Sequence, residues 1–391
     1  MKNKPKEPPQ IAVKFANMVF VLGILFSILL IVYAIYKIYN LQFASPVFYI
    51  ISILCGVVFV TLFAFGLKRL SNNLKVNLSL LFFTVGIAVY GFETYLQFVS
   101  PQNIKLQREI IAKQMGVPYD TRTKMEVLDD LRDSGVEAFP SAFPSAFYKS
   151  NGLTAKKGRI YPLGTISNST KIHDNEAGYY PVIETDEHGF NNSKELYNKN
   201  KVDIVLTGDS FTEGYSVHSD ETISLVRRIS GFNAISIGKA GNGPLIELAA
   251  LKEYAEPLKP KIVLWLYHVN DLSDLNREMQ SSILRKYLNE DDYSQNLISR
   301  QEEIDGVLIN FVQDSWEKEK KWENKRLINI LKLTKLRSMI NLARTSNTTP
   351  IPTPTPIFRD ILQKSKEMVS NWNGKMYLIY LPAFERYSTG N

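Results

Sequence analysis

The chain has 391 residues, of which 45% are hydrophobic and 22% charged, and its formal net charge is +7. This length is sufficient for two or three domains, while the single cysteine excludes an intramolecular disulfide framework and any cysteine-rich zinc or iron–sulfur site. The basic residues are interspersed with acidic ones, which argues against a nucleic-acid-binding surface.

Three long apolar stretches occupy the N-terminal quarter of the chain. The uncharged stretches are residues 15–36, 38–67 and 76–92. The first two are long enough to cross a hydrocarbon core of about 30 Å as helices, and the third reaches this length with the aromatic residues that follow it. We therefore predict a cytoplasmic tail at residues 1–15 and three transmembrane helices within residues 16–98.

Basic residues are distributed unevenly around these stretches. Four lysines precede the first stretch and three basic residues separate the second from the third, whereas the first connection contains only Lys37. The positive-inside rule then predicts a cytoplasmic N-terminus, and with three spans the chain after about residue 98 lies outside. Two alternatives stay open, namely that the first stretch is a cleaved signal peptide and that the third is a buried or interfacial helix, which would return the polar body to the cytoplasm.

Residues 99–198 are predicted to form a juxtamembrane connector and a lead-in segment. They contain the short tandem repeat Phe-Pro-Ser-Ala-Phe-Pro-Ser-Ala-Phe at residues 139–147, whose prolines disfavour a helix and favour an extended run. The repeat has two interpretations: a packed connector, or an aromatic rim for a ligand.

Strands and helices alternate in residues 199–391. The predicted strands are 202–206, 232–237, 262–267 and 376–380, and the predicted helices are near 222–229, 244–255 and 358–371. This alternation is typical of an α/β domain in which a parallel sheet is flanked by helices. Residues 274–342 interrupt it with a long charged helical insertion, which we interpret as a solvated helical face.

A polar group follows each of the first three predicted strands. Ser210 comes in Gly-Asp-Ser after the first strand, Gly241 lies in a glycine-rich loop after the second, and Asn270 follows the third. The carboxyl ends of neighbouring parallel strands meet at one edge of a sheet, which is where ligands bind. A serine hydroxyl, loop N–H groups and a side-chain amide together offer a nucleophile and oxyanion donors, although an isolated Gly-Asp-Ser is also a common helix cap.

The order and spacing of these groups resemble the SGNH/GDSL hydrolase superfamily, whose blocks are Gly-Asp-Ser, a glycine after the next strand, and Gly-x-Asn-Asp. The resemblance covers about residues 176–275 and the strand at 376–380. It includes the extended motif Gly-Asp-Ser-Phe-Thr-Glu-Gly and an approach segment, residues 185–192, that is similar to the one in membrane-attached bacterial members. Two departures occur, because His268 occupies the usual glycine of the third block and Ser236 stands where an asparagine is common.

The resemblance implies a fold and a set of roles. The fold class would be α/β, a three-layer SGNH-like parallel sheet flanked by helices and preceded by the bundle of three transmembrane helices. Ser210 would be the nucleophile, and the N–H groups of Ser210 and Gly241 would form the oxyanion hole with the amide of Asn270. No cofactor and no metal site is implied.

The general base is the unresolved part of this pattern. A serine nucleophile needs a histidine oriented by a carboxylate, and the family supplies both from a late Asp-x-x-His block that is absent here. The four histidines are His173, His188, His218 and His268. Only His268 is expected near the strand ends, as a substitute base. Either a continuation beyond Asn391 carries the block, so that the domain at 199–391 is incomplete, or the chain is a non-catalytic relative that retains the pocket.

We therefore expect a membrane-anchored SGNH/GDSL-type serine ester hydrolase or O-acyltransferase that acts on ester-linked acyl groups, with envelope glycans as candidate carriers. The alternative is a catalytically inactive SGNH-fold glycan-binding or assembly protein. The expected partners are an acylated small molecule or glycan and the lipid bilayer, without nucleic acid. The resemblance places the protein in the bacterial inner or plasma membrane, with its large domain on the extracytoplasmic side.

Overall fold

The computed structural model describes residues 7–39, 47–197, 202–217, 221–320, 326–345 and 355–382. Its helices in chain order are α1 (Gln10–Tyr39), α2 (Val47–Arg69), α3 (Asn72–Phe98), α4 (Ser100–Met115), α5 (Lys124–Asp133), α6 (Ser210–Glu213), α7 (Glu221–Ser230), α8 (Pro244–Ala250), α9 (Asp271–Glu278), α10 (Ser282–Asn289), α11 (Gln301–Lys320), α12 (Arg326–Leu331), α13 (Thr334–Thr345) and α14 (Pro356–Asn371). Its strands are β1 (Ala138–Pro140), β2 (Leu153–Ala155), β3 (Gly158–Ile160), β4 (Thr170–Ile172), β5 (Val182–Glu184), β6 (Ile204–Thr207), β7 (Ala234–Ser236), β8 (Ile262–His268) and β9 (Lys375–Leu381).

Helices α1, α2 and α3 confirm the three predicted apolar spans. Each is long and apolar enough to cross a membrane, and α3 is the least apolar of the three. Glycines bring α1 and α2 close together, since a Cβ added at Gly56 would lie 2.6 Å from a side-chain carbon of Ile31, and one at Gly66 would lie 2.3 Å from the ring of Phe20. Small residues at such crossings are typical of helix packing in membranes. The orientation of the helices across a membrane stays a prediction.

The chain divides into two compact units. One contains residues 1–101 together with Arg326–Ile340, and the other contains residues 102–325 and 341–391. The second unit, called the polar body below, contains every strand found in the described ranges. Residues 326–340, which fall inside the predicted charged insertion, therefore group with the apolar helices instead of the α/β body.

A four-stranded parallel sheet in the order β7-β6-β8-β9 forms the centre of the polar body. The predicted strands and their parallel pairing are confirmed. Every residue of β6 is buried, as expected for an interior strand of a parallel sheet. The first three strands of this sheet in chain order are β6, β7 and β8, and β6 lies between the other two, so the three carboxyl ends lie side by side.

The hydrophobic clusters on the two faces of this sheet differ in size. Val205, Val263 and Trp265 point to one face and belong to a large core with α8, α10 and α14. Ile204 and Leu206 point to the other face and form a smaller cluster with Ile223 of α7. On β9 the apolar side chains from Tyr377 to Tyr380 remain between 37% and 51% exposed, so the last strand is only partly covered.

The lead-in segment folds around two small sheets. Strands β1, β4 and β5 form one of them, and β2 and β3 form a hairpin. The repeat at residues 139–147 starts in β1 but ends in a 3₁₀ turn, Pro144–Phe147, so the predicted extended run is correct only for its first part. Pro144 stands at the first position of this turn, where a missing N–H costs no hydrogen bond. Phe139 and Phe147 are buried, as a packed connector requires.

Candidate active site at the ends of the parallel strands

The end of β6 presents Ser210 at the start of α6. Gly208 has φ of +154°, and a Cβ at that position would lie 2.2 Å from Oγ1 of Thr212, so the turn has no room for a side chain. Asp209 caps α6 by accepting the N–H of Phe211 at 3.0 Å. Ser210 takes no part in the cap, and within the described part of the chain its hydroxyl and its backbone N–H have no hydrogen-bond partner. The helix-cap interpretation is thus correct for Asp209, while the Ser210 hydroxyl stays available.

The loop after β7 meets the Ser210 turn. The N–H of Lys239 donates to the carbonyl oxygen of Gly208 at 3.3 Å, which joins the two loops directly. Gly241 has φ of +75°, a conformation that favours glycine, and its N–H has no partner among the described residues. A Cβ at Gly241 would lie 2.7 Å from Oγ of Ser145, so the phenylalanine-proline repeat borders this glycine.

The end of β8 and the loop after it bring His268 and Asn270 to the same edge of the sheet. Nδ2 of Asn270 donates to Oδ2 of Asp209 at 3.4 Å, which links the third loop to the first. Oδ1 of Asn270 accepts from Nδ1 of His268, so the hydrogen of that ring is on Nδ1 and the lone pair is on Nε2. The His268 ring packs on Phe211, with 5.1 Å between ring centroids. Within the described residues, no hydrogen bond joins His268 to Ser210.

Of the three remaining histidines, two lie within the described residues. His173 is fully buried, with Nδ1 donating to the carbonyl oxygen of Tyr215 at 2.7 Å. His188 is buried beside the rings of Tyr197 and Tyr254. His218 lies outside the described residues.

Glu213, the acidic residue of the extended motif, holds α6 against the glycine-rich loop. It is fully buried, its carboxylate forms an ion pair with Lys239, and Oε2 accepts the N–H of Ala240 at 2.7 Å. Nε2 of His173 lies 3.5 Å from Oε1. Burial alone would raise the pKa of Glu213, but Lys239 and His173 lower it to about 2. This ion pair therefore fixes the loop that carries Gly241.

A second lysine lies close to this ion pair. Lys171 is fully buried, and its ammonium nitrogen has no hydrogen-bond partner within the described part of the chain. Burial lowers the pKa of Lys171 well below its usual range, and the neighbouring Lys239 lowers it further. Burial and the neighbouring ammonium group thus both favour the uncharged form of Lys171.

Buried carboxyl groups lie behind the third loop. Oδ2 of Asp271 accepts the N–H of His268 at 2.9 Å, and Glu278 accepts backbone N–H groups at the start of α8, including that of Gly243 at 2.6 Å. Burial raises the pKa of Glu278 to about 8, and burial together with Asp209 raises that of Asp271. Glu247 is also buried; burial is the main cause that raises its pKa, and the nearby carboxylate of Asp271 raises it further. Burial thus favours the protonated, uncharged form of each of these carboxyl groups.

The approach segment, residues 185–192, ties the lead-in to β7. Asp186 accepts the N–H groups of His188 and Phe190, each at 2.9 Å, which closes the segment into a tight loop. The amide of Asn192 then pairs with Ser236 at the end of β7: it accepts the Ser236 N–H at 2.7 Å and donates to the Ser236 carbonyl oxygen at 2.8 Å. The segment thus extends the hydrogen bonding of the sheet at the edge where the candidate site lies.

The structure places the four predicted site residues Ser210, Gly241, Asn270 and His268 at the carboxyl ends of the neighbouring strands β6, β7 and β8, while their chemical roles stay predictions. The supporting residues Glu213, Lys239 and Glu278 were not identified from the sequence. The only sequence pattern that could have indicated Lys239 and Glu213 is their position inside the motifs. No pattern indicated Glu278, because its contact with Gly243 joins residues 35 positions apart. Comparison of the chain with known protein families, characterised proteins and solved structures found no match.

Proposed function

We propose that this chain is a membrane-anchored serine acyl-transfer enzyme of the SGNH/GDSL type, either an ester hydrolase or an O-acyltransferase. The observation that carries the proposal is the unpaired set at the strand ends: the hydroxyl of Ser210, the N–H of Ser210 and the N–H of Gly241 have no partner within the described residues. Polar groups left unpaired at the carboxyl ends of parallel strands are typical of a ligand site. The cores on both faces of the sheet are consistent with the three-layer arrangement that this type implies.

In the proposed reaction, Oγ of Ser210 attacks the carbonyl carbon of an ester and its proton passes to a base. The carbonyl electrons move to the oxygen, and the N–H groups of Ser210 and Gly241 with Nδ2 of Asn270 stabilise the resulting oxyanion. Collapse of the tetrahedral intermediate breaks the bond to the alcohol, which leaves with the proton from the base, and Ser210 stays acylated. Water or an acceptor hydroxyl then loses a proton to the base and attacks the carbonyl carbon of the acyl group. The bond to Oγ of Ser210 breaks, and the serine takes the proton back from the base.

His268 is the candidate base among the described residues. Its hydrogen on Nδ1 leaves Nε2 free to accept a proton, and its ring lies against Phe211, the neighbour of the nucleophile. In the superfamily this role belongs to the histidine of the late Asp-x-x-His block. A His268→Gln variant tests whether His268 or the histidine of the late block is the base. Glutamine retains a polar side chain of similar reach but cannot act as a base near neutral pH.

The proposed substrates are ester-linked acyl groups, with acetyl groups on envelope glycans as the leading candidates, by analogy with the superfamily. The proposed location is a bacterial inner or plasma membrane, with the N-terminus in the cytoplasm and the polar body outside. The apolar helices α1, α2 and α3 and the basic residues around them support this placement.

The full chain in detergent or in vesicles provides the test. A fluorophosphonate should label the protein covalently, and a short p-nitrophenyl ester should be hydrolysed, in wild type but not in Ser210→Ala. The matched control is Ser370→Ala, at an exposed serine on α14 whose hydroxyl donates to the carbonyl oxygen of Lys366 at 2.8 Å. Labelling and turnover that survive in Ser210→Ala would refute the proposal.

One observation favours a second function, that of a glycan-binding protein with a silent site. Within the described residues, no histidine is hydrogen-bonded to Ser210. A binding protein would retain full affinity for acylated glycans in Ser210→Ala and would take up no fluorophosphonate. Titration with acetylated and deacetylated oligosaccharides distinguishes this function from the enzymatic one.

A further inference from the structure

The short segment Arg326–Ile340 carries an apolar surface that no part of the described chain covers. Five of its large apolar side chains are exposed: Leu327, Ile328, Leu331, Met339 and Ile340. Leu327 is 72% exposed and Leu331 is 64% exposed. They lie four positions apart on α12, which places them on one helical face, and Met339 and Ile340 fall on one face of α13 with Leu336.

The same segment is strongly basic. Lys332, Lys335 and Arg337 are exposed, and the sequence from Arg326 to Thr345 contains no aspartate or glutamate. A helical segment with one apolar face and a polar face rich in lysine and arginine is typical of helices that lie in a membrane interface. A solvated surface helix would instead carry charges of both signs and few exposed leucines.

The segment is attached to the last apolar helix. Glu93 of α3 is fully buried and accepts the N–H groups of Lys335 and Leu336 at 2.9 and 2.8 Å, so its carboxylate caps the start of α13. Gln97, one turn further along α3, donates to Oγ1 of Thr334 at 2.8 Å. These three hydrogen bonds therefore fix the amphipathic segment to one end of α3.

The attachment point lies at the edge of the hydrocarbon region. About 20 residues of helix cross a bilayer core, and this length counted from Lys75 ends close to Tyr95. Glu93 and Gln97 lie on either side of that position, and α3 ends at Phe98. The segment is thus attached to α3 at the position along the helix where a bilayer core of this thickness would end, which is the depth at which interfacial helices bind.

We propose that residues 326–340 form an interfacial membrane-binding element that inserts its apolar face among the acyl chains and contacts anionic lipid headgroups with its basic side chains. This function is independent of the reaction proposed for Ser210. It gives the insertion between α11 and α14 a second attachment to the bilayer surface, more than 220 residues after the last apolar helix.

Spin labels on the full-length protein test the proposal. In a Cys55→Ser background, single labels at Leu331→Cys and Met339→Cys are compared in phosphatidylcholine vesicles with and without phosphatidylglycerol. Collision rates with oxygen, which partitions into lipid, and with a water-soluble nickel complex report the surroundings of each label. Val85→Cys, at an exposed apolar position of α3, is the lipid-facing control, and Ser370→Cys is the water-facing control.

We expect both labels to match Val85→Cys in the ratio of oxygen to nickel collisions, with stronger protection from nickel when phosphatidylglycerol is present. A ratio equal to that of Ser370→Cys would overturn the proposal, because the face would then be in water. Low collision rates with both reagents would also overturn it, since a second copy or another protein would then cover the face. Equal protection in the two kinds of vesicle would refute the headgroup contact.

Discussion

Replacement of Glu213 by glutamine tests whether the buried ion pair holds the candidate site together. Glutamine has nearly the same shape and can still accept the N–H of Ala240, but it leaves the ammonium group of Lys239 buried without a counter-charge. Removal of one partner of a buried ion pair costs about 3–5 kcal/mol. The nearby side chains Lys171 and His173 offer no negative charge in exchange. For a domain of this size the loss corresponds to a fall in melting temperature of roughly 10 °C.

Tryptophan fluorescence of the full chain in detergent measures the melting temperature of the polar body. The four tryptophans all follow residue 264, outside α1, α2 and α3, and Trp265 is fully buried in the polar body. The matched control is Asp291→Asn, which removes an ion pair to Lys364 at the surface, where such pairs contribute little. The double variant Glu213→Gln/Lys239→Met removes both charges and should recover part of the lost stability.

A melting temperature of Glu213→Gln within about 2 °C of that of wild type would contradict the role of the ion pair, because a buried unpaired ammonium group costs more free energy than that. A melting temperature of Glu213→Gln/Lys239→Met no higher than that of Glu213→Gln would contradict it as well. In that case the loss would come from packing and not from the unpaired charge.

Three further predictions concern other residues described above. Gly241→Ala keeps the backbone N–H, but its Cβ would lie 2.7 Å from Oγ of Ser145 and must shift the loop; displacement of this oxyanion donor should lower esterase turnover about 10²-fold, whereas Gly231→Ala, with the same sign of φ but open space around it, should leave turnover unchanged. Because the folded pKa of Glu278 is about 8, above its ordinary value, its stabilisation is complete below about pH 4.5 and lost as the pH rises through about 8; the melting temperature of wild type should therefore fall relative to Glu278→Gln between about pH 5 and about pH 9. Glu93→Ala should remove the cap from α13 at a cost of about 1 kcal/mol, seen as faster motion of a spin label at Met339, and unchanged motion would contradict the capping role.

The sequence was sufficient for the elements that depend on local patterns. Uninterrupted apolar stretches predicted α1, α2 and α3, and short apolar runs between turn residues predicted β6 to β9. In β6, where every residue is buried, the lack of charge follows from burial on both faces of a parallel strand. The positions of Ser210 and Asn270 followed from the strand ends, because parallel neighbours deliver their next residues to one edge.

The sequence was insufficient wherever a contact joins distant positions. Glu278 supports the loop before α8 from 35 residues away, and Glu93 caps a helix that begins 241 residues later. The alternation of polar and apolar residues indicates that a helix has a buried face, but not which surface buries it. For this reason residues 326–340 looked like part of a solvated insertion, although they group with the apolar helices.

The pairing of Asn192 with Ser236 has a consequence for the order of assembly during synthesis. The ribosome makes the chain from its N-terminus, so Asn192 emerges 44 residues before the strand end that it binds. Until then the amide of Asn192 lacks its two bonds to Ser236, whereas the bonds from His188 and Phe190 to Asp186 are local and can form earlier. Non-local contacts of this kind are slow to form. Closure of the lead-in onto the sheet should therefore come after β6 and β7 have paired, which makes the candidate site one of the later parts of the polar body to take shape.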